Sequence, residues 1–137
     1  MFTLHPVLAT DTVEIVTSSL SLIRLMNDCN YPWVILIPAR PGITGIHQLQ
    51  PGDAVVLTQE ISRISAVLEN LYAPDRINVA ALGNVVPQLH VHIIARFEND
   101  PTWPGPVWGN APRKEYNDEK LLQTVSAIKQ ALKDQPA

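Results

Sequence analysis

Apolar and polar positions alternate with two different periods along this chain, and the changes of period mark its elements. After His5-Pro6, a segment of about one helical turn ends at Thr10-Asp11. From Val13 the residues read Val-Glu-Ile-Val-Thr and then Ser-Leu-Ser-Leu-Ile-Arg-Leu-Met. Leu20 and Leu22 alternate with serines there, which predicts a half-buried strand reaching about Met26. Residues 27–32 are rich in side chains that bond their own backbone and predict a turn. Residues 33–37 form an unbroken apolar run, stopped by Pro38, that reads as a central strand and closes a hairpin.

A loop with Pro41, Gly42 and Gly45 follows, and Pro51-Gly52-Asp53 opens a helix. Proline is tolerated in a first turn, and an acidic side chain there complements the helix dipole. Leu57, Ile61, Ile64, Leu68 and Leu71 recur at helical spacing, with Glu60, Arg63, Glu69 and Asn70 expected on the other side. Pro74 ends the helix. Residues 77–81 predict a short strand, and Gly83-Asn84 a tight turn into a β-branched run ending at Arg96. So short a connection implies antiparallel pairing. A proline- and glycine-rich stretch then leads to a last helix from about Asn117, its stripe formed by Leu121 or Leu122, Val125, Ile128 and Leu132. The expected class is α+β: an antiparallel sheet of about five strands, one long middle helix and a C-terminal helix, in one domain spanning 1–137. Its core is expected at about 13–108 and its last helix at about 117–133.

The run Val85-Val86-Pro87-Gln88-Leu89-His90-Val91-His92-Ile93-Ile94 holds two of the four histidines. On a strand, alternate residues share a face, so Gln88, His90 and His92 are expected on one surface, with neighbours about 6.6 Å apart. Leu89, Val91 and Ile93 would line the opposite, buried face.

Composition narrows what this surface can serve. The chain is 46% hydrophobic and 17% charged, as a folded protein requires. A net charge of −3 argues against nucleic acid as a partner, which demands a basic surface, but leaves room for a small phosphate-bearing ligand. Cys29 stands alone, so neither a disulfide framework nor a cysteine zinc cluster is available. No apolar run approaches the roughly 20 residues that span a bilayer, and the N-terminus lacks the form of a signal peptide. A cytoplasmic protein with no membrane partner is expected.

Three readings of the histidine strand compete. The rings can be structural members of a sheet. They can form a metal half-site, which needs a third ligand from His5, His47 or a carboxylate. Or one neutral imidazole can attack phosphorus and form a covalent intermediate, with its neighbour offering a proton to a phosphate oxygen.

The run Val-Pro-Gln-Leu-His-Val-His-Ile-Ile-Ala-Arg resembles the signature of the histidine triad family, His-φ-His-φ-His-φ-φ with φ apolar, and the order of elements over residues 13–108 fits as well. The resemblance implies a homodimer whose sheets join across the interface. It also implies nucleotide substrates, such as dinucleoside polyphosphates or nucleoside phosphoramidates, cut at the α-phosphate through a nucleotidyl-histidine intermediate. Neither a cofactor nor a metal is expected. By motif position the nucleophile falls on His90 and the phosphate-holding residue on His92. The first position, normally histidine, is Gln88, whose amide can hydrogen-bond but cannot titrate. Family members often carry another histidine near the start of the strand after the hairpin turn. Trp33 stands there instead, either to stack on a base or to fill the core.

Other residues carry alternative expectations. Asn27 and Asp28 either shape the turn or reach the ribose hydroxyls. Asn84 either supports its turn or reaches a phosphate. Arg96 is either a phosphate partner or a strand-end charge, and His47 is expected to be exposed. The segment Trp103-Pro-Gly-Pro-Val-Trp108 is expected to pack on the site or across the dimer interface, with docking of the tail as the plainer alternative.

Overall fold

The computed structural model describes residues 1–135. A short helix α1 (Pro6–Asp11) leads into strands β1 (Thr12–Thr17), β2 (Ser21–Met26) and β3 (Trp33–Pro38). One 3-10 turn, Ile46–Gln48, precedes the long helix α2 (Pro51–Tyr72). Strands β4 (Arg76–Ala80) and β5 (Val91–Arg96) and the helix α3 (Asp118–Asp134) complete the chain. The strands form one five-stranded sheet in the order β1-β2-β3-β5-β4, with every neighbouring pair antiparallel. This is the expected α+β arrangement, and α1 is the short helical segment expected to end at Thr10-Asp11. Among the described residues no helix is long and apolar enough to cross a membrane.

The unbroken apolar run of β3 reflects burial on both faces. Val34 and Leu36 point into a core shared with Leu57 and Ile64 of α2, Ile93 of β5 and Ile128 of α3. Ile35 and Ile37 point the other way, into a second cluster with Leu8 of α1, Trp33, Ile94 and Val107. The sheet is thus roofed by helices on one face and by α1 and irregular chain on the other. Both imidazoles belong to that second face.

Four details differ from expectation. The single strand expected up to Met26 is two strands, because residues 18–21 turn: the Ser18 amide donates to the Ser21 carbonyl at 2.9 Å, and the Ser21 amide to the Ser18 hydroxyl at 3.2 Å. Glu60, expected on the solvent side of α2, is 9% exposed and accepts from the hydroxyls of Ser18 and Ser21. Leu71 of the expected stripe is exposed instead. The fourth concerns the histidine run, whose strand starts only at Val91. Residues 81–90 are irregular: Gly83 adopts φ +74°, Pro87 has no amide hydrogen, and the Leu89 amide donates to the Ile43 carbonyl, outside the sheet.

Candidate active site

Register places the site. In the β3–β5 ladder Ile35 lies opposite His92 and Trp33 opposite Ile94, so Trp33 and His92 are diagonal neighbours on one face. Diagonal positions are about 7–8 Å apart at the backbone, within reach of large rings. The Trp33 indole N–H accordingly donates to His92 Nδ1 at 3.0 Å, and the ring centroids lie 5.6 Å apart. His90, at the approach to β5, stands edge-to-face with His92 at 4.9 Å. Trp108 contacts the His92 ring at 4.9 Å and Trp33 at 6.0 Å. The aromatic 103–108 segment therefore packs, through Trp108, on His92.

The hydrogen bonds set where the ring protons are. His90 Nδ1 lies 2.7 Å from the backbone carbonyl oxygen of Gln88. A carbonyl only accepts, so Nδ1 carries the hydrogen, and in the neutral ring the lone pair is on Nε2. His92 has the reverse pattern: its Nδ1 accepts from Trp33, which leaves its hydrogen on Nε2. One ring presents a lone pair and its neighbour an N–H. Burial above all, and then the charge of His90, pushes the pKa of His92 down to about 3. His92 is therefore an uncharged donor at neutral pH.

Gln88 has side-chain partners of its own. Its side chain is turned to the N-terminal segment, where Oε1 accepts from the His5 amide and Nε2 donates to the Thr3 carbonyl, each at 2.8 Å. Orientation of His90 comes from the main chain of Gln88 and not from its amide group.

Other candidates are dispersed. Asn27 Oδ1 accepts from the Tyr116 amide at 2.9 Å, and Asp28 Oδ1 from the Asn30 amide at 3.0 Å, so both shape the turn and hold the chain before α3. Asn84 is exposed in the β4–β5 connection. Arg96 is not available to a phosphate. Only 1% exposed, it pairs with Asp100, donates to Asn78, Thr102 and the Gly105 carbonyl, and lies over the Tyr31 ring. Arg96 thereby anchors the segment that carries Trp108. Sequence reasoning missed both this hub and the Trp33–His92 bond; the Arg96 to Asp100 spacing and the turn residues at 98–101 were the available signals for the first.

An open groove of about 590 Å³ adjoins His90, lined by Thr44, Ile46, His47, Leu82 and Leu89 among others. That volume suits a small organic ligand. His47 is exposed as expected, yet it shares this groove with His90. A larger depression of about 700 Å³, between the β1–β2 turn and α2, contains neither imidazole. Among the described residues no three His, Cys, Asp or Glu side chains are grouped as metal ligands would be.

Known proteins place this geometry in context. The family model described as HIT domain matches residues 8–99. A histidine triad protein from Marinobacter aquaeolei VT8 is 43% identical, with 99% of each chain covered and a TM-score of 0.95. Another from Sinorhizobium meliloti 1021 is 42% identical over 96% of this chain and 98% of that one, with a TM-score of 0.94. A third, from Bradyrhizobium japonicum, is 40% identical over 96% and 98%, with a TM-score of 0.93. No curated protein matches. With a family model covering most of the chain and whole-length relatives at this identity, the protein belongs to the histidine triad family.

Proposed function

We propose that the protein is a nucleotide phosphohydrolase or nucleotidyl transferase that works at the α-phosphate, with His90 as nucleophile. The complementary proton placement of the two rings carries this reading. His90 Nε2 attacks the α-phosphorus, forming a P–N bond as the bond to the leaving group breaks and its electron pair departs with that group. The Nδ1–H bond to the Gln88 carbonyl stabilises the charge that develops on the ring. His92 donates Nε2–H to a non-bridging phosphoryl oxygen. Water then attacks phosphorus, the P–N electrons return to Nε2, and a proton passes to solvent. Dinucleoside polyphosphates are the first substrate class and nucleoside phosphoramidates the second.

Purified protein incubated with diadenosine tetraphosphate and with adenosine 5′-phosphoramidate tests this. Release of AMP, lost by a factor of at least ~10³ in His90→Asn, is the expected result. Full turnover by that variant, or none by the native chain, would refute it. The alternative of a nucleotide-binding module with little catalysis is supported by Gln88, whose amide is committed to residues 3–5. Micromolar AMP binding by calorimetry without hydrolysis would favour it. We propose also that two copies join through β4, an edge strand paired on one side only, with Val79 exposed on it and Leu82 exposed just after it. Analytical ultracentrifugation showing a monomer would reject this.

A further inference from the structure

Trp33 is the residue whose chemistry the site does not explain by packing alone. It is 5% exposed, and a phenylalanine would fill much of the same space, but its N–H is spent on a site imidazole. We propose that Trp33 is a positioning residue that fixes His92 as an uncharged Nε2–H donor throughout the reaction, and so selects which nitrogen faces the phosphate. The inference rests on the functional reading above for its catalytic consequence, but not for the proton placement itself.

An indole N–H can donate and never accept. A protonated His92 would carry hydrogens on both nitrogens, and its Nδ1–H would face the Trp33 N–H across 3.0 Å. Charging the ring therefore costs a buried hydrogen bond and sets two donors against each other. Moving the single hydrogen from Nε2 to Nδ1 has the same cost. The remaining walls do not compensate. Trp108 covers the ring edge-to-face, Ile35 lies opposite it on β3, and His90 is the titratable neighbour at 4.9 Å. Arg96, four residues further along the same strand, is already paired with Asp100. Nothing anionic in these contacts favours a charged His92, in keeping with its lowered pKa. A histidine in place of Trp33 could either donate or accept, so it would permit both forms; tryptophan permits one.

The test combines a readout without substrate and one with it. In the full chain labelled with ¹⁵N-histidine, long-range proton–nitrogen spectra distinguish protonated from bare ring nitrogens. The native protein is expected to show a bare Nδ1 and a protonated Nε2 at His92, unchanged from pH 7 to pH 5. Trp33→Phe is expected to abolish this single form, giving mixed tautomers or titration within that range. Trp33→His, which restores a ring N–H, is expected to recover the Nε2–H form in part. A native spectrum with the hydrogen on Nδ1 overturns the proposal without any variant, as does a Trp33→Phe spectrum identical to the native one.

With a substrate that the native protein turns over, Trp33→Phe is expected to lower kcat by about 10²-fold while KM stays within about twofold. Loss expressed only in KM would assign Trp33 to binding and overturn the positioning role. If the native chain turns over neither nucleotide, the functional reading fails, while the spectra still decide the proton placement.

Discussion

A buried imidazole that resists protonation makes the fold less stable in mild acid, and the size of the effect follows from two pKa values. In the unfolded chain a histidine titrates near ~6.5. In the fold, burial and His90 bring His92 down to about 3. Between these values the unfolded chain binds a proton that the folded chain does not, so stability falls as pH falls. The penalty is almost absent at pH 7, begins below the unfolded value and levels off near the folded one. At ~1.36 kcal/mol per pH unit, going from pH 7 to pH 5 costs roughly 2 kcal/mol. Against a total of about 5–15 kcal/mol for a typical domain, that loss is easy to measure.

Urea unfolding at the two pH values, on native protein and on His92→Gln, isolates this contribution. Glutamine keeps an acceptor for Trp33 but does not titrate. The other three histidines and all carboxylates are common to both proteins and cancel in the double difference. The native chain is expected to lose about 2 kcal/mol more than the variant on acidification. Equal losses, within about 0.5 kcal/mol, would refute the premise that the fold excludes a proton from His92.

Three other perturbations probe the supports of the site. Arg96→Gln strands the buried Asp100 carboxylate and is expected to cost about 3–5 kcal/mol by chemical denaturation, with loss of order in residues 102–108. Burial raises the Asp100 pKa, but bonds from Arg96 and from the Phe97 and Thr102 amides outweigh it and leave it lowered, so this stabilisation holds above ~3.9 and fades as pH falls through the folded value. Glu60→Ala leaves the Ser18 and Ser21 hydroxyls without their acceptor and is expected to cost about 1–3 kcal/mol, read as a lower urea midpoint. Gln88→Ala removes both bonds to the N-terminal segment and is expected to cost about 1 kcal/mol while speeding amide exchange at His5.

What could be read in the chain was governed by period. Residues 33–37 are apolar without alternation because both faces of β3 are covered, and α2 shows a helical stripe because it lies on one face of a sheet. Those patterns fix class, element order and the face that bears His90 and His92. Period says nothing about partners, however. Glu60 looked like a solvent-side residue until the β1–β2 turn brought two serine hydroxyls over it. The polar row offered Gln88 a position but not its pairing with residues 3 and 5, which spans more than eighty positions of sequence. Trp33 offered only stacking or core filling as roles, because its bond to His92 depends on the β3–β5 register. Each miss is a long-range contact made by one polar group, which no local window contains.

On the proposed function, those same contacts bear on which leaving group the site would handle best. The hydrogen positions of His90 and His92 are held by a backbone carbonyl, which only accepts, and an indole N–H, which only donates. Imidazoles at positions 33 and 88 could exchange protons with the rings between them; Trp33 and Gln88 cannot. A leaving group that departs as a stable anion, such as a nucleoside polyphosphate, needs no proton in the first step. An amine leaving from a phosphoramidate does need one, and neither Trp33 nor Gln88 can relay it. The arrangement therefore predicts a higher kcat/KM for diadenosine tetraphosphate than for adenosine 5′-phosphoramidate, by about tenfold or more, since general-acid assistance is worth ~10²–10⁴. Trp33→His together with Gln88→His would supply titrating groups at both places and is expected to narrow that ratio. A native protein that prefers the phosphoramidate, with the preference unchanged in the double variant, would show that the proton reaches the amine by a route independent of these two positions.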